Sequence, residues 1–196
     1  MIGRGTIILT SAYILAGGMS RRFGADKALY DFQGQPLIRY PLALLSRHFS
    51  TVYIIAKDPA KYASLGYPVI PDISPAQTPL VGIRTGLEHS PADWNCFIAC
   101  DLPFLTDQVI TRLSEAVDHR APQGVRAVVA ETPGGLQPLT ACYHRELADS
   151  LAAEGQENHS VKDWIRKLDA AFVFFQEEAP FRNINRKEDL DGIPAD

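Results

Sequence analysis

Short apolar runs alternate with helix-length segments along this chain, and that alternation constrains the fold more than any other feature. The strand-like runs are Tyr13–Ala16, 51–57 ("TVYIIAK"), "YPVIPD" ending at Asp72, "WNCFIAC", "VRAVVAE" and "AFVFFQ". Between them, Leu37, Tyr40, Leu44, Leu45 and Phe49 recur near helical spacing, with Pro41 in the first turn or two. "PAKYASLG" reads as a short helix stopped by Gly66. A further helix is predicted over Pro79–His89. "TDQVITRLSEAVDHR" is amphipathic, with Val109, Ile110, Leu113 and Val117 on one side. "QPLTACYHRELADSLAAEG" passes from strand or loop into helix, "SVKDWIRKLDA" starts a helix with Ser160 as N-cap, and an Asn-rich turn leads to a short terminal helix. Strand–helix alternation of this kind predicts an α/β domain with a largely parallel sheet.

A chain of 196 residues, 46% hydrophobic and 21% charged, suits one domain with a sizeable core. A formal net charge of -4 argues against a general nucleic-acid binder, yet permits a local basic pocket for a phosphorylated small molecule. No stretch is long and apolar enough for a membrane helix, and the N-terminus lacks a recognisable cleavage site, so no membrane partner is expected. Cys96, Cys100 and Cys142 read as buried free thiols of a cytoplasmic protein. The histidines His48, His89, His119, His144 and His159 are scattered and read as surface residues, while Trp94 and Trp164 read as packing residues.

In parallel sheets, ligands bind beyond the carboxyl ends of the strands. Three polar features fall there: the loop after Ala16, the Asp72 loop and the Asp101 loop. The first runs "LAGGMSRRFGADKAL". Gly17, Gly18 and Gly24 permit tight turns and close backbone approach, and Arg21, Arg22 and Lys27 add positive charge. By residue type the loop is either a phosphate cradle or a solvated basic turn. It fits neither the P-loop nor the dinucleotide fingerprint, because Gly18 and Gly24 bracket five residues and Asp26-Lys27 follows. Asp101, at the end of an apolar run and followed by Pro103, is a hard oxygen donor suited to a divalent cation. It stands too far from the helix near Thr106 to be its cap. Asp72 is either a strand-end turn former or a ligand residue. In "FRNINRKEDL", Asn183 and Asn185 flank Ile184, so an extended backbone would aim both amides one way and Ile184 into the core.

The loop closely resembles the N-terminal signature of the molybdenum cofactor guanylyltransferase (MobA) family, roughly L-A-G-G-x-S-x-R-M/F-G-x-D-K. Leu15, Ala16, Gly17, Gly18, Ser20, Arg22, Gly24, Asp26 and Lys27 all match. Gly17-Gly18, where related nucleotidyltransferases tend to have Ala-Gly, favours the guanylyl member. Asp72, Pro79, Leu80 and Gly82 resemble the family's second segment, with Thr78 where glycine is common. A left-handed backbone is costly for threonine, so this loop is expected to sit differently. "GGLQPL" resembles a third segment and the Asn183–Asn185 element a fourth. The resemblance runs from about Tyr13 to the final helix, leaving residues 1–10 as an additional N-terminal segment.

The resemblance implies a Rossmann-like three-layer nucleotidyltransferase domain spanning the chain. It implies transfer of GMP from GTP to the terminal phosphate of molybdenum-loaded molybdopterin, with release of pyrophosphate. Asp101 would bind Mg²⁺. Arg22 and Lys27 would meet the phosphates, with Arg21 only steering. Leu15, Ala16, Gly17, Gly18, Asp72 and Gly82 would line the nucleotide side, and Gln137, Pro138, Asn183 and Asn185 the acceptor side. Expected partners are GTP, the molybdopterin cofactor, and proteins of cofactor synthesis or molybdoenzyme apoproteins. The alternatives are a cytidylyl or sugar-phosphate nucleotidyltransferase and a non-catalytic GTP-binding assembly protein.

Overall fold

The computed structural model describes residues 9–16, 26–74, 78–154, 160–185 and 189. Gly17, Gly18, Ser20, Arg21, Arg22 and Gly24, His159, most of the N-terminal segment and the expected terminal helix lie outside the described residues.

The strands are β1 (Ser11–Leu15), β2 (Asp31–Phe32), β3 (Gln35–Pro36), β4 (Thr51–Ala56), β5 (Val69–Pro71), β6 (Trp94–Ala99), β7 (Ala127–Thr132), β8 (Gly135–His144) and β9 (Ala170–Phe174). The helices are α1 (Arg39–His48), α2 (Pro79–His89), α3 (Asp107–Arg120), α4 (Leu147–Glu154) and α5 (Val161–Ile165). Seven strands form one sheet in the order β5-β4-β1-β6-β8-β7-β9. All run parallel except β8, which is antiparallel to both β6 and β7.

Alternation along the central strands sorts side chains to two faces. Ala12 and Ile14 of β1 and Cys96 and Ile98 of β6 join Leu42 and Leu45 of α1 and Val109, Ile110, Leu113 and Val117 of α3. Tyr13 and Phe97 point the other way, to Leu80, Ile83 and Leu87 of α2, Leu147 and Leu151 of α4, and Trp164 of α5. Helices thus cover both faces, and the expected three-layer α/β arrangement is what the chain forms. All three cysteines are buried and free, and both tryptophans are packing residues. His144 departs from the surface reading: it stands edge-on to Trp94 at 5.4 Å, and burial lowers its pKa.

Local chemistry explains several boundaries. Thr78 caps α2 by accepting from the Val81 N–H at 3.4 Å, and Pro79 occupies the first turn, where its missing N–H costs least. Ser160 caps α5 as expected, accepting from the Asp163 N–H at 3.1 Å. "PAKYASL" forms a 3₁₀ turn over Pro59–Leu65, closed by Gly66 at φ 82°. Among the described residues no helix is long and apolar enough to cross a membrane.

Candidate active site

β1 continues to β4 on one side, and the chain later crosses to β6 on the other. The carboxyl ends of β1 and β6 therefore flank the point where the strand order reverses, the usual binding crevice of such sheets. They lie level, with Leu15 opposite Ala99 and the Cys100 N–H donating to the Leu15 carbonyl at 3.3 Å.

Lys27 arrives from the β1 side and Asp101 from the β6 side. Lys27 opens a 3₁₀ turn, Lys27–Leu29, capped by Asp26 Oδ1 accepting from the Ala28 N–H at 3.2 Å. The Lys27 ammonium donates to Asp101 Oδ2 at 2.5 Å and to Asn185 Oδ1 at 3.0 Å. The ion pair is largely shielded, its side chains 17% and 11% exposed. Two of the ammonium's three donors are thus engaged among the described residues.

The C-terminal segment locks over this pair. Ile184 is fully buried with Phe32 and Leu37, and its N–H donates to the Asp101 carbonyl at 3.1 Å. Asn183 and Asn185 are both exposed on either side of it, the alternation the sequence predicts. Asn185 reaches Lys27, whereas Asn183 makes no hydrogen bond to the Lys27–Asp101 pair. Asn185 also donates its backbone N–H to Asp189 Oδ2 at 2.7 Å.

Of the expected nucleotide-side residues, Leu15 ends β1, Ala16 and Asp72 directly follow β1 and β5, and Gly82 lies in the first turn of α2. Ala16 follows β1, its N–H donating to the Ile55 carbonyl at 2.9 Å. Gly82 lies where α2 crosses β1; a Cβ there would stand 2.9 Å from Leu15 Cδ2. Close packing, rather than a special backbone angle, is therefore what glycine provides at this position. Thr78 adopts an extended backbone at φ −117°, so the family glycine's conformational freedom is not needed here. Asp72 follows β5. Its Oδ1 is enclosed and has no hydrogen-bond partner among the described residues. Burial raises its pKa, and the nearby Thr85 hydroxyl works against that rise.

Gln137 and Pro138 sit on β8 beside its hairpin with β7. Gln137 donates to Thr132 Oγ1 at 3.3 Å and to the Gly135 carbonyl at 3.4 Å, within its own hairpin. Neither residue is hydrogen-bonded to Lys27, Asp101 or Asn185.

Two polar residues of this region are not singled out by the sequence reading. Thr85, buried in α2, accepts from the Ile73 N–H at 3.2 Å and donates to the Val81 carbonyl at 2.9 Å, tying the Asp72 loop to the helix. Tyr62, in the Pro59–Leu65 turn, meets both Ala16 and Asp26. Their only sequence signal is a hydroxyl-bearing residue placed in an otherwise apolar helix face or turn.

Residues 12–171 match the model of the MobA-like NTP transferase domain. The chain belongs to this family. It is 33% identical to a molybdenum cofactor guanylyltransferase of Serratia proteamaculans, over 90% of this chain and 89% of that one. It is 31% identical to the enzyme of that name from Cupriavidus pinatubonensis, over 97% of both chains. The fold is shared with the crystal structure of molybdopterin-guanine dinucleotide biosynthesis protein A from Archaeoglobus fulgidus, at a TM-score of 0.78, 23% identity, and 92% and 95% coverage. Family membership makes this a nucleotidyltransferase-type chain, with its Lys27–Asp101 pair at the sheet's switch point.

Proposed function

We propose that this protein is a guanylyltransferase that transfers GMP from GTP to the terminal phosphate of molybdenum-loaded molybdopterin. The observation that carries the reading is the meeting of Lys27, Asp101 and Asn185 at the switch point. The names of the curated relatives support the choice of nucleotide and acceptor.

In this reaction an oxygen of the acceptor phosphate forms a bond to the α-phosphorus. The bond from that phosphorus to the bridging oxygen breaks, and pyrophosphate leaves. A phosphate monoester is already ionised near neutral pH, so no strong general base is needed. Alignment and charge stabilisation then carry the rate. Lys27 serves as a point charge for the β- and γ-phosphates, and Arg22 as their second cation. Leu15, Ala16, Gly17, Gly18, Asp72 and Gly82 border the nucleotide, while Gln137, Pro138, Asn183 and Asn185 border the acceptor.

Among the described residues no group of three or more His, Cys, Asp or Glu is placed to hold a metal. Magnesium does not require one, since it takes one or two carboxylates and fills its shell with water and phosphate oxygens. Asp101 supplies a carboxylate and Asn185 an amide oxygen on either side of one ammonium, a donor set that fits this ion. When bound, Mg²⁺ would draw charge from the phosphoryl oxygens and screen the approach of one phosphate to another.

Pyrophosphate release with loaded molybdopterin, comparing GTP with CTP, tests the proposal. Release should be faster with GTP. Faster release with CTP would sink the guanylyl assignment, and tight GTP binding without release would indicate an assembly protein instead.

A further inference from the structure

The Tyr62 hydroxyl stands where the glycine-rich segment leaves and rejoins the described chain. The ring is buried in the core on the α1/α3 face of the sheet. The hydroxyl oxygen lies 2.9 Å from the Ala16 carbonyl oxygen and 2.9 Å from Asp26 Oδ2. Ala16 is the last described residue before segment 17–25, and Asp26 is the first after it. A phenol has one proton, so a carbonyl and a carboxylate share a single donor.

Each end is also held a second time. The Ala16 N–H is fixed on Ile55, and the other Asp26 oxygen caps the turn that begins at Lys27. Burial, followed by the charge of Asp26, pushes the phenol's pKa upward, which keeps the hydroxyl protonated and donating. Displacing the Asp26 carboxylate would loosen the cap of the Lys27–Leu29 turn. Lys27, the first residue of that turn, would lose its fixed approach to Asp101 and Asn185.

We propose that Tyr62 is a positioning residue: its hydroxyl ties together the two ends of the glycine-rich segment and, through Asp26, sets Lys27 for contact with a nucleotide's polyphosphate. The inference rests on the phosphate-binding role given to Lys27 under the proposed function, but not on the identity of the base.

The test is calorimetric binding to the full chain with Mg²⁺. The ligands are whichever of GTP or CTP the wild type binds more tightly, and the matching monophosphate. Tyr62→Phe keeps the ring and removes the hydroxyl. Asp26→Ser keeps an acceptor for the Ala28 N–H but is too short to reach Tyr62, and it serves if Tyr62→Phe fails to fold. Either variant should weaken triphosphate binding roughly tenfold, the size of one lost hydrogen bond to a charged group. Monophosphate binding should change little, and Tyr62→Phe should add no further loss to Lys27→Met. A purely structural role would instead weaken both nucleotides alike and add its loss to that of Lys27→Met; that pattern, or unchanged triphosphate binding, overturns the inference. A wild type that binds no triphosphate removes the phosphate-binding reading, and this inference with it. A wild type that binds well beside an unaffected Tyr62→Phe removes the inference alone.

Discussion

Lys27 and Asp101 lie 74 residues apart in the chain and meet at 2.5 Å, where the strand order of the sheet reverses. The proposed metal ligand is thus already paired with the protein's own cation, so a divalent ion must share or displace that ammonium. An incoming triphosphate offers the ammonium another partner. Metal and nucleotide are therefore expected to bind cooperatively. Lys27→Met should raise the Mn²⁺ affinity of the nucleotide-free protein by roughly three- to tenfold, the scale of a partly screened charge pair. The same variant should weaken triphosphate binding. Electron paramagnetic resonance of free Mn²⁺ reads the first effect, and unchanged or weaker metal binding would contradict it.

Asp101→Asn separates chemistry from binding. The amide still accepts from Lys27, and the backbone carbonyl that receives the Ile184 N–H is untouched, so the fold should persist, with the melting temperature lowered by about 2–4 °C for the lost charge pair. Turnover should fall about 10²–10³-fold, as when one preorganised electrostatic element is lost from a reacting centre. Pyrophosphate release should no longer respond to Mg²⁺ concentration, while nucleotide binding persists at reduced strength. A normal magnesium titration would remove Asp101 from the metal site.

The sequence foretells some of this arrangement and not the rest, for physical reasons. Helix α2 occupies Pro79–His89 as predicted, because Pro79 at the first turn and a capping Thr78 act locally. The strand-end rule places Asp72, Asp101 and Lys27 on one edge of the sheet without any knowledge of distances. The reversal of β8 is not legible. Its direction depends on pairing with β6 and β7, and its "GLQPL" start lacks a clean period. The β2–β3 hairpin escapes too: two residues per strand carry no periodicity, although Gln33 and Gly34 at φ 51° and 85° form its turn. Tyr62 is invisible for a related reason, since its importance lies in the two partners of one hydroxyl and not in its own position in the chain.

Asp72 gives a pH prediction with a definite sign. Its folded-state pKa lies above the ordinary 3.8, chiefly because burial disfavours the charge. The folded state therefore binds this proton more tightly than the unfolded chain does. That contribution to stability is complete below 3.8 and is lost as pH rises through the folded value. At neutral pH the enclosed carboxylate is a cost, so Asp72→Asn should raise the melting temperature by about 2 °C. The advantage should vanish near pH ~3.5, where both states carry the protonated acid. Triphosphate affinity should fall in the same variant if the carboxylate faces the nucleoside. Thermal melts at the two pH values decide the first point; a gain that survives at acid pH would place its origin elsewhere.

Gly82 and Gly86 stand one turn apart in α2 and should respond differently to the same substitution. A Cβ at Gly86 would lie 2.6 and 2.8 Å from Phe97 Cε1 and Cζ, and 3.1 Å from Ile55 Cδ1. Phe97 cannot yield easily: it is fully buried and stacked on Tyr13 at 5.0 Å, with Tyr143 5.8 Å away. Overpacking of this kind costs about 1–3 kcal/mol, and replacing a helical glycine by alanine returns up to about 1. Gly86→Ala should therefore be destabilised by roughly 1–2 kcal/mol. At Gly82 the clash is with the tip of Leu15, a flexible side chain, and the helix gain should nearly cancel it. The displaced Leu15 is the last residue of β1, directly before the glycine-rich segment, so Gly82→Ala should weaken nucleotide binding at almost unchanged stability. Denaturant midpoints at a constant m-value separate the two variants. Equal stability losses would mean that the sheet-facing side of α2 is not packed against Phe97 and Leu15 as described.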